Sequence, residues 1–446
     1  MRQALRFLVG TLAAVSVHAA EPRFTVEQLQ QDVRFIRQSI AEIHPEPGFS
    51  IAPQRLDAAL DEASRQLSVP MSRGEAWRVL GKLNPLFADA HFALLQPDFR
   101  GQGASHQAGG GLLFPFEVQA SADGKLFIRA KLGGAASPLA GMPIDSVNGI
   151  PAAQLVQELL QYVHGDTPQF RAAWLSHRWW FYYWKMHGAP RSYTISQGGK
   201  QLEVAGSAAR PEALVGSSAT DFDRVFRLEL LDRQAALLTI RQFSWPDKQQ
   251  FHAFTAAAFA RMREAGVTTL IIDVRDNPGG DDDMWKDGVL PYIATRPYRH
   301  TSSYVKKVIP GRGSETERVG DIIRATHENW DQPPADHPLR FSGRVYVLVG
   351  GMTYSSAVLF SNVMQDFKFG QLVGTGGYAR ARQSGGVQNR TLPNTGLDLV
   401  LPRMILERPA GAAAPVMVQP DIALPDDPFN RHALVDKLLR RIGTTP

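Results

Sequence analysis

Cysteine is absent from this sequence of 446 residues. Its absence excludes disulfide bonds, thiolate metal ligands and cysteine nucleophiles, because each of these requires a thiol. A hydrophobic core must therefore hold the folded chain together, and a chain of this length can bury enough apolar surface to build one. Chains of this length usually fold into two or three domains.

A large excess of one charge is also absent. The 48 Lys and Arg residues against 43 Asp and Glu residues give a formal net charge of +5, and the basic residues are scattered. We therefore expect no nucleic-acid partner. Beyond residue 20 no apolar stretch is long enough to span a bilayer, so stable membrane insertion is not expected either. The content of 44% hydrophobic and 20% charged residues is ordinary for a globular protein.

The first twenty residues have the three parts of a secretory signal. Arg2 and Arg6 form a basic start, residues 7–17 are mostly apolar, and Ala19 and Ala20 supply a small-residue cleavage site. We predict cleavage near Ala19 or Ala20 and a periplasmic or secreted protein.

The remaining chain has three regions with different sequence patterns. Residues 21–104 are dominated by helical spacing of apolar residues, and the glycines of residues 101–111 indicate a linker. Residues 105–205 contain short strand-like runs. Residues 206–446 alternate strands with helices, which predicts an α/β fold with a largely parallel sheet.

The middle region resembles a bacterial PDZ domain in the order of its strands, its Asn148-Gly149 turn and its helix at residues 152–162. The resemblance places the carboxylate-binding loop at Gly111, Leu112, Leu113 and Phe114. Such a groove binds an extended peptide as an added strand. A module that only spaces two domains explains the same pattern, and both interpretations stay open here.

Six consecutive aromatic residues occupy positions 179–184. An exposed aromatic patch would invite contact with a membrane or a peptide. Aromatic runs pack more often in a core or a domain interface, and we predict that environment for this one.

A serine follows the most strand-like segment of the chain. Residues 345–349 are apolar or aromatic, two glycines follow, and Ser355 and Ser356 precede a helical pattern. A serine at such a turn has its hydroxyl beside the free N–H groups of the first helical turn, which can hold a developing oxyanion. The alternative is an ordinary helix-capping serine.

A second strand, at residues 269–274, ends in the turn sequence Asp-Asn-Pro-Gly-Gly at residues 276–280. Ligands bind beyond the carboxyl ends of parallel strands, so Gly279 and Ser355 are expected to face one crevice. Three aspartates follow at residues 281–283. Adjacent side chains on a helix point in different directions, so we interpret them as first-turn acids and expect no metal site.

These motifs resemble those of the carboxyl-terminal processing (tail-specific) protease family. The matching segments are residues 273–280, 353–357, 364–367 and 372–374, in the family's order and approximate spacing. The resemblance implies a serine peptidase with a crotonase-like αββ-spiral catalytic domain and no cofactor. It places the nucleophile at Ser355 and the oxyanion donors at the N–H groups of Gly279 and Ser356.

The general base departs from that pattern. The processing proteases use a lysine, whose position Arg380 takes here. A guanidinium does not give up its proton, so Arg380 cannot be the base. The segment at residues 86–92 resembles the histidine-using, tricorn-core-like branch of the superfamily, which implies His91 as the base. The alternative role for His91 is to cap carbonyls at a helix end.

The sequence does not single out one group that would orient the His91 imidazole. The tricorn-type site has a serine before its histidine, where this chain has Ala90, and a glutamate that this chain does not match. Asp89 and Glu407 are the candidates for the orienting acid.

We therefore predict four segments: a signal peptide at residues 1–20, an N-terminal helical region at 21–104, a PDZ-like domain at 105–205 and a crotonase-like peptidase domain at 206–446. The expected activity is hydrolysis of peptides or unfolded proteins. A catalytically inactive protein that binds peptides or apolar ligands on the same fold is the rival, and an esterase is a third possibility. The sequence predicts neither the specificity nor the oligomeric state.

Overall fold

The structure is a computed structural model that describes residues 21–216, 218–232 and 234–443. The predicted signal peptide lies outside the described residues. Within those ranges, no helix has the length and apolar character needed to cross a membrane.

The N-terminal region is mainly helical, as its apolar spacing predicts. The first long helix begins at a capping box, in which the Thr25 side chain accepts from Gln28 N and the Gln28 side chain accepts from Thr25 N. The elements are β1 (Arg23–Phe24), α1 (Val26–Ile43), α2 (Pro53–Gln66), β2 (Met71–Ser72), α3 (Arg73–Leu80), α4 (Asn84–Phe87), β3 (Ala93–Leu95) and α5 (Phe99–Ala108), with 3₁₀ turns at Pro47–Phe49 and Gly81–Leu83.

The predicted glycine-rich linker is wrong, because most of it forms α5. Asp98 caps this helix by accepting from Gly101 N at 2.9 Å. Gly103 lies against the Trp180 ring, where an added Cβ would come within 2.8 Å. The glycines therefore allow close packing, and that tertiary contact overrides their low helix propensity.

The middle region contains two small antiparallel sheets and two helices. Trp179, Trp180 and Tyr183 on its longer helix are at most 1% exposed, so the prediction that the aromatic run packs in the core is confirmed. The elements are β4 (Phe116–Ala120), β5 (Leu126–Lys131), β6 (Ser146–Val147), β7 (Ile150–Pro151), α6 (Ala152–Leu160), α7 (Pro168–His187), β8 (Ser192–Gln197) and β9 (Lys200–Ala205).

The C-terminal region is built on a six-stranded sheet, with its strands in the order β10 (Phe226–Leu231), β11 (Ala235–Ile240), β12 (Thr269–Asp273), β15 (Arg344–Val349), β16 (Gln371–Gly374) and β21 (Ile422–Ala423). The pairs from β11 to β21 are parallel, which confirms the predicted sheet, and β10 is antiparallel to β11. The elements are α8 (Phe222–Val225), β10 (Phe226–Leu231), β11 (Ala235–Ile240), α9 (Lys248–Glu264), β12 (Thr269–Asp273), α10 (Asp282–Gly288), β13 (Ser303–Lys307), β14 (Ile322–Thr326), β15 (Arg344–Val349), α11 (Ser356–Asp366), β16 (Gln371–Gly374), β17 (Gln383–Gly385), β18 (Gln388–Thr391), β19 (Asp398–Leu401), β20 (Met404–Leu406), β21 (Ile422–Ala423) and α12 (His432–Gly443), with 3₁₀ turns at Glu212–Leu214, Ala219–Asp221 and Leu290–Tyr292.

Both faces of this sheet are covered. Alternate residues such as Leu238, Ile272 and Val347 belong to the main core, which also includes residues of the N-terminal and middle regions. The intervening residues pack with α12 in a second core. Its buried members are Leu237, Ile271, Tyr346, Leu348, Val373, Leu434, Val435 and Leu438.

Strand pairing joins the N-terminal region to the C-terminal region. The strand β3 pairs antiparallel with β19, which in turn pairs with β18. Nearby, the Asp32 carboxylate of α1 accepts from Thr395 N at 3.0 Å and from Thr395 Oγ1 at 2.6 Å. These contacts fix the residues before β3, including His91, against the C-terminal sheets.

Candidate active site

Ser355 lies at the turn between β15 and α11 in a strained conformation. Its φ of 54° and ψ of −126° are unusual for a residue with a Cβ. Backbone strain of this kind persists only where the surrounding structure enforces it, and it often marks a functional residue. The Ser355 carbonyl accepts from Val358 N and Leu359 N, so the turn passes directly into the helix.

His91 and Ser355 are brought together although 264 positions separate them in the chain. The His91 Nε2 atom lies 3.1 Å from Ser355 Oγ. His91, in the loop before β3, thus meets the residue just before α11, as the sequence predicts. The distance and the atoms are those of a hydroxyl that donates to an imidazole.

A second hydroxyl connects His91 to a buried carboxylate. His91 Nδ1 lies 3.0 Å from the Ser384 Oγ atom of β17. Ser384 Oγ donates to Asp89 Oδ1 at 2.8 Å. Because the Ser384 proton goes to Asp89, the consistent arrangement has Nδ1–H donating to Ser384 and leaves Nε2 free to accept from Ser355.

Asp89 and a second buried aspartate share a hydrogen-bond network. Tyr354 Oη donates to Asp166 Oδ1 at 2.8 Å and lies 3.3 Å from Asp89 Oδ1. Asp166 Oδ2 accepts from Arg380 N at 2.9 Å. The Arg380 guanidinium donates to the Ala88 carbonyl at 2.6 Å. Arg380 therefore braces the loop that precedes His91.

Burial sets the electrostatics of this network. It lowers the pKa of His91 to about 4, against the opposing effect of the Asp166 charge. Burial, together with the nearby Asp89 charge, raises the pKa of Asp166 to about 6. Burial also raises the pKa of Asp89, although its hydrogen bonds from His91 N–H and Ser384 oppose the shift. The imidazole is consequently neutral at pH 7, the form that accepts a proton.

Gly279 packs directly against the turn that carries Ser355. An added Cβ would come within 2.6 Å of Ser355 Cβ and 2.9 Å of Ser356 N, so the site requires glycine there. The Gly279 N–H donates to Asn277 Oδ1 at 2.8 Å. This predicted oxyanion donor is therefore already engaged, whereas the Ser356 N–H has no acceptor among the described residues.

The side chain of Ser356 holds the first turn of α11 in place. Its Oγ donates to Asp282 Oδ1 at 2.5 Å and accepts from Trp285 Nε1 at 2.9 Å. Asp281, the first of the three predicted first-turn acids, pairs with Lys248 at 3.0 Å. No group of three or more His, Asp or Glu side chains within the described ranges has the arrangement of a metal site.

Glu407 is not placed to orient His91. Its carboxylate pairs with Arg382 Nε at 3.0 Å, and no hydrogen bond between described residues joins it to the imidazole. Of the two candidate acids, only Asp89 belongs to the network, and it reaches His91 Nδ1 through Ser384.

The predicted carboxylate-binding loop has a different arrangement from the one expected. Gly111 N donates to the His106 carbonyl and Leu113 N donates to the Ser207 carbonyl, so neither N–H is free for a ligand. Leu113 and Phe114 are buried in the core, and Leu112 joins them to Gly111. The loop does not present a row of free donors.

Sequence reasoning missed Ser384, Asp166 and Tyr354. Ser384 is a lone serine in a three-residue strand, and 293 positions separate it from His91. Asp166 precedes α7 and has no motif around it. Only Tyr354 had an available signal, because it adjoins Ser355 and a buried tyrosine hydroxyl needs a hydrogen-bond partner.

The fold is mixed α/β, and a strained serine hydrogen-bonded to an imidazole is an arrangement that serine-type hydrolases use. Residues 234–424 match the family model described as peptidase family S41. This match indicates a serine-type peptidase, whose C-terminal region is similar to that of the tail-specific proteases.

Solved structures share the fold. The structure of mature CPAF aligns with a TM-score of 0.65 at 16% identity, covering 94% of this chain and 96% of that one. CPAF complexed with lactacystin gives a TM-score of 0.65 at 16% identity, with 94% and 97% covered. A putative peptidase from Parabacteroides merdae gives 0.50 at 16% identity, with 94% and 98% covered. No curated protein matches the sequence.

Proposed function

We propose that this protein is an exported serine peptidase in which Ser355 is the nucleophile and His91 is the general base. The observation that carries the proposal is the distance of 3.1 Å between His91 Nε2 and Ser355 Oγ. In this arrangement the imidazole takes the hydroxyl proton as Oγ attacks a peptide carbonyl. A neutral imidazole is required, and the lowered pKa of His91 keeps it neutral at pH 7.

The attack forms a C–O bond and moves the carbonyl π electrons onto oxygen. The Ser356 N–H at the start of α11 stabilises this oxyanion, aided by the helix dipole. The Gly279 N–H contributes when it exchanges Asn277 Oδ1 for the oxyanion. The protonated His91 then gives its proton to the leaving amine as the C–N bond breaks, which leaves an ester on Ser355. His91 then takes a proton from a water molecule that attacks the ester carbonyl, and it gives that proton to Ser355 Oγ as the C–O bond breaks and the carboxylic acid leaves.

Ser384 and Asp89 act together as the orienting group. The Ser384 hydroxyl holds the Nδ1–H tautomer, and the Asp89 carboxylate stabilises the proton that His91 gains during the reaction. Ser384 thus takes the part that the tricorn-type site gives to a serine directly before its histidine. This substitution supports assignment to the histidine-using branch.

We also propose a crotonase-like catalytic domain, a PDZ-like middle region and an N-terminal export signal. A crotonase-like αββ-spiral explains why the parallel strands β12 and β15 deliver Gly279 and Ser355 to one crevice. The order of strands and helices in the middle region supports a PDZ-like module that lacks an open carboxylate loop. The basic, apolar and small-residue segments of the first twenty residues support export.

One observation favours a second function, that of a non-catalytic binding protein. The Gly279 N–H donates to Asn277 rather than facing an empty oxyanion position. If that hydrogen bond persisted when a substrate bound, the site would offer one oxyanion donor instead of two. Each such donor contributes about 100- to 1000-fold to the rate.

A fluorophosphonate probe separates the two functions, because it reacts only with an activated serine. We expect the purified wild-type protein to gain the mass of one probe molecule, attached to Ser355. The Ser355→Ala and His91→Ala proteins should remain unlabelled over the time that the wild-type protein needs to react completely. The matched control is His106→Ala, whose ring contacts the Leu112 carbonyl and Trp184 and takes no part in the network around Ser355; it should label at the wild-type rate. Absence of labelling in the wild-type protein would leave the binding function as the better account.

A further inference from the structure

One buried carboxylate of the middle region has no part in the reaction proposed above. Asp166 lies just before α7, and its side chain is only 2% exposed. Both of its oxygens accept hydrogen bonds from the C-terminal region. Tyr354 Oη donates to Oδ1 at 2.8 Å, and Arg380 N donates to Oδ2 at 2.9 Å. Because a buried carboxylate is costly to keep, its presence here indicates a specific role.

The same carboxylate also holds the residue before His91. Ala90 N donates to Asp166 Oδ1 at 3.2 Å. The Ala90 carbonyl accepts from His164 Nδ1 at 2.9 Å. Both polar groups of the Ala90 backbone are thus bonded to the segment at residues 164–166. The backbone that carries the imidazole cannot shift without breaking these hydrogen bonds.

Asp166 therefore bonds to each of the three segments that supply the proposed relay. The first, residues 89–91, carries the imidazole. The second, residues 354–355, carries the nucleophile. The third, residues 380–384, carries the hydroxyl that accepts from the imidazole. One side chain of the middle region thus joins three segments that are far apart in the chain.

Asp166 is itself held in a fixed position. The next residue, Thr167, caps α7 by accepting from Phe170 N at 3.1 Å, and its Oγ1 donates to the Tyr378 carbonyl at 2.8 Å. Burial and the nearby Asp89 charge raise the pKa of Asp166 to about 6, so its carboxylate is ionised at pH 8. An ionised carboxylate accepts stronger hydrogen bonds than a neutral group does.

We propose that Asp166 is a positioning residue of the peptidase, which keeps the His91 imidazole at hydrogen-bond distance from Ser355. The inference rests on the proposed function, since it supposes that the imidazole activates the serine. Asp166 acts through Ala90 N and Tyr354 Oη and does not touch the reacting atoms. Its loss should therefore slow the chemical step and leave the binding of a small probe unchanged.

The rate of fluorophosphonate modification at pH 8, measured at several probe concentrations, tests this role. Such measurements separate the maximum rate constant from the probe concentration that gives half of it. Asp166→Ala removes every hydrogen bond of the carboxylate. We expect its maximum rate constant to fall about 100-fold, as for reacting groups displaced by about 1 Å, while the half-saturating concentration stays within about threefold. Asp166→Asn keeps an oxygen that can accept from Tyr354 and Ala90, so it should react at least about tenfold faster than the alanine variant.

A third variant and a matched control complete the series. Tyr354→Phe keeps the ring and removes only the hydroxyl, so its maximum rate constant should fall about tenfold; it serves if the alanine variant does not fold. The control is Asp366→Asn, which alters another largely buried carboxylate, one that accepts from Arg408 Nε and from Ala410 N, each at 2.9 Å. Asp366 is at the opposite end of α11 from Ser355, so the control should react at the wild-type rate.

Crystal structures test the same role without any reaction. In the wild-type protein the distance between His91 Nε2 and Ser355 Oγ should stay near 3.1 Å. In Asp166→Ala, or in Tyr354→Phe if the alanine variant does not fold, it should exceed about 3.6 Å, which is too long for a hydrogen bond.

Four results would overturn the inference. They are wild-type rates in the folded Asp166 and Tyr354 variants, a loss that lies wholly in the half-saturating concentration, equally slow alanine and asparagine variants, or an unchanged distance in the variant crystal. Failure of the catalytic proposal is visible separately. In that case the wild-type protein would not react with the probe, while the distance would still lengthen in the variant.

Discussion

Replacing Ser384 with alanine should slow the reaction of Ser355 without unfolding the protein. The substitution removes the hydroxyl that accepts from His91 Nδ1 and donates to Asp89. The Asp89 carboxylate keeps its hydrogen bond from His91 N at 2.8 Å and the contact with Tyr354, so its charge stays solvated within the protein. The imidazole, in contrast, loses the partner that selects its reactive tautomer.

The expected magnitude follows from the type of hydrogen bond that is lost. His91 becomes positively charged during the attack, and a hydrogen bond to a charged group contributes about 1.5 to 3 kcal/mol. If that contribution is made in the transition state, its loss corresponds to a rate reduction of about 10- to 150-fold. Complete loss of activity is not expected, because His91 Nε2 still faces Ser355.

The assay is the rate constant for fluorophosphonate modification, measured by intact mass. The matched control is Ser361→Ala, which removes another buried serine hydroxyl, one that donates to the Ala357 carbonyl within α11. The control should react at the wild-type rate. A Ser384→Ala protein that is folded and reacts as fast as the wild type would refute the relay from His91 to Asp89.

Three further predictions concern pH, the glycine turn and a buried ion pair. Because burial lowers the pKa of His91 to about 4, the labelling rate should persist as the pH falls through 6.5 and decline only as it approaches 4; a midpoint at 6.5 would contradict this shift. Gly279→Ala should abolish labelling, because its Cβ would come within 2.6 Å of Ser355 Cβ, whereas Gly311→Ala, with nothing within 4 Å, should label normally. Arg275→Ala should lower the free energy of unfolding in urea by about 3 to 5 kcal/mol, because Arg275 and its partner Asp273 are both buried; a loss below about 1 kcal/mol would show that the pair is dispensable.

The residues that the sequence identified are those with a local pattern around them. Ser355 follows a strand and precedes a helix, and His91 lies in a segment that resembles one protease branch. Chemistry excluded Arg380 as a base, because a guanidinium keeps its proton. Its hydrogen bond to the Ala88 carbonyl could not be predicted, since it joins two loops far apart in the chain.

Tertiary contacts account for the predictions that differ from the structure. The glycines after Asp98 indicate a linker by composition, yet packing of Gly103 against Trp180 favours a helix. Glu407 was a plausible orienting acid by its place in the chain, but it pairs with Arg382. In both cases a contact with a side chain from a distant segment determines the local structure. Such a contact cannot be predicted from a single sequence.

Digestion of an unfolded protein tests the central claim most directly, that His91 activates Ser355 for hydrolysis of peptide bonds. Reduced casein would be incubated with the wild-type protein, Ser355→Ala and His91→Ala, and new chain ends would be counted by mass spectrometry. We expect new ends with the wild-type protein and none above background with either variant. Equal digestion by the wild-type protein and Ser355→Ala would contradict the account.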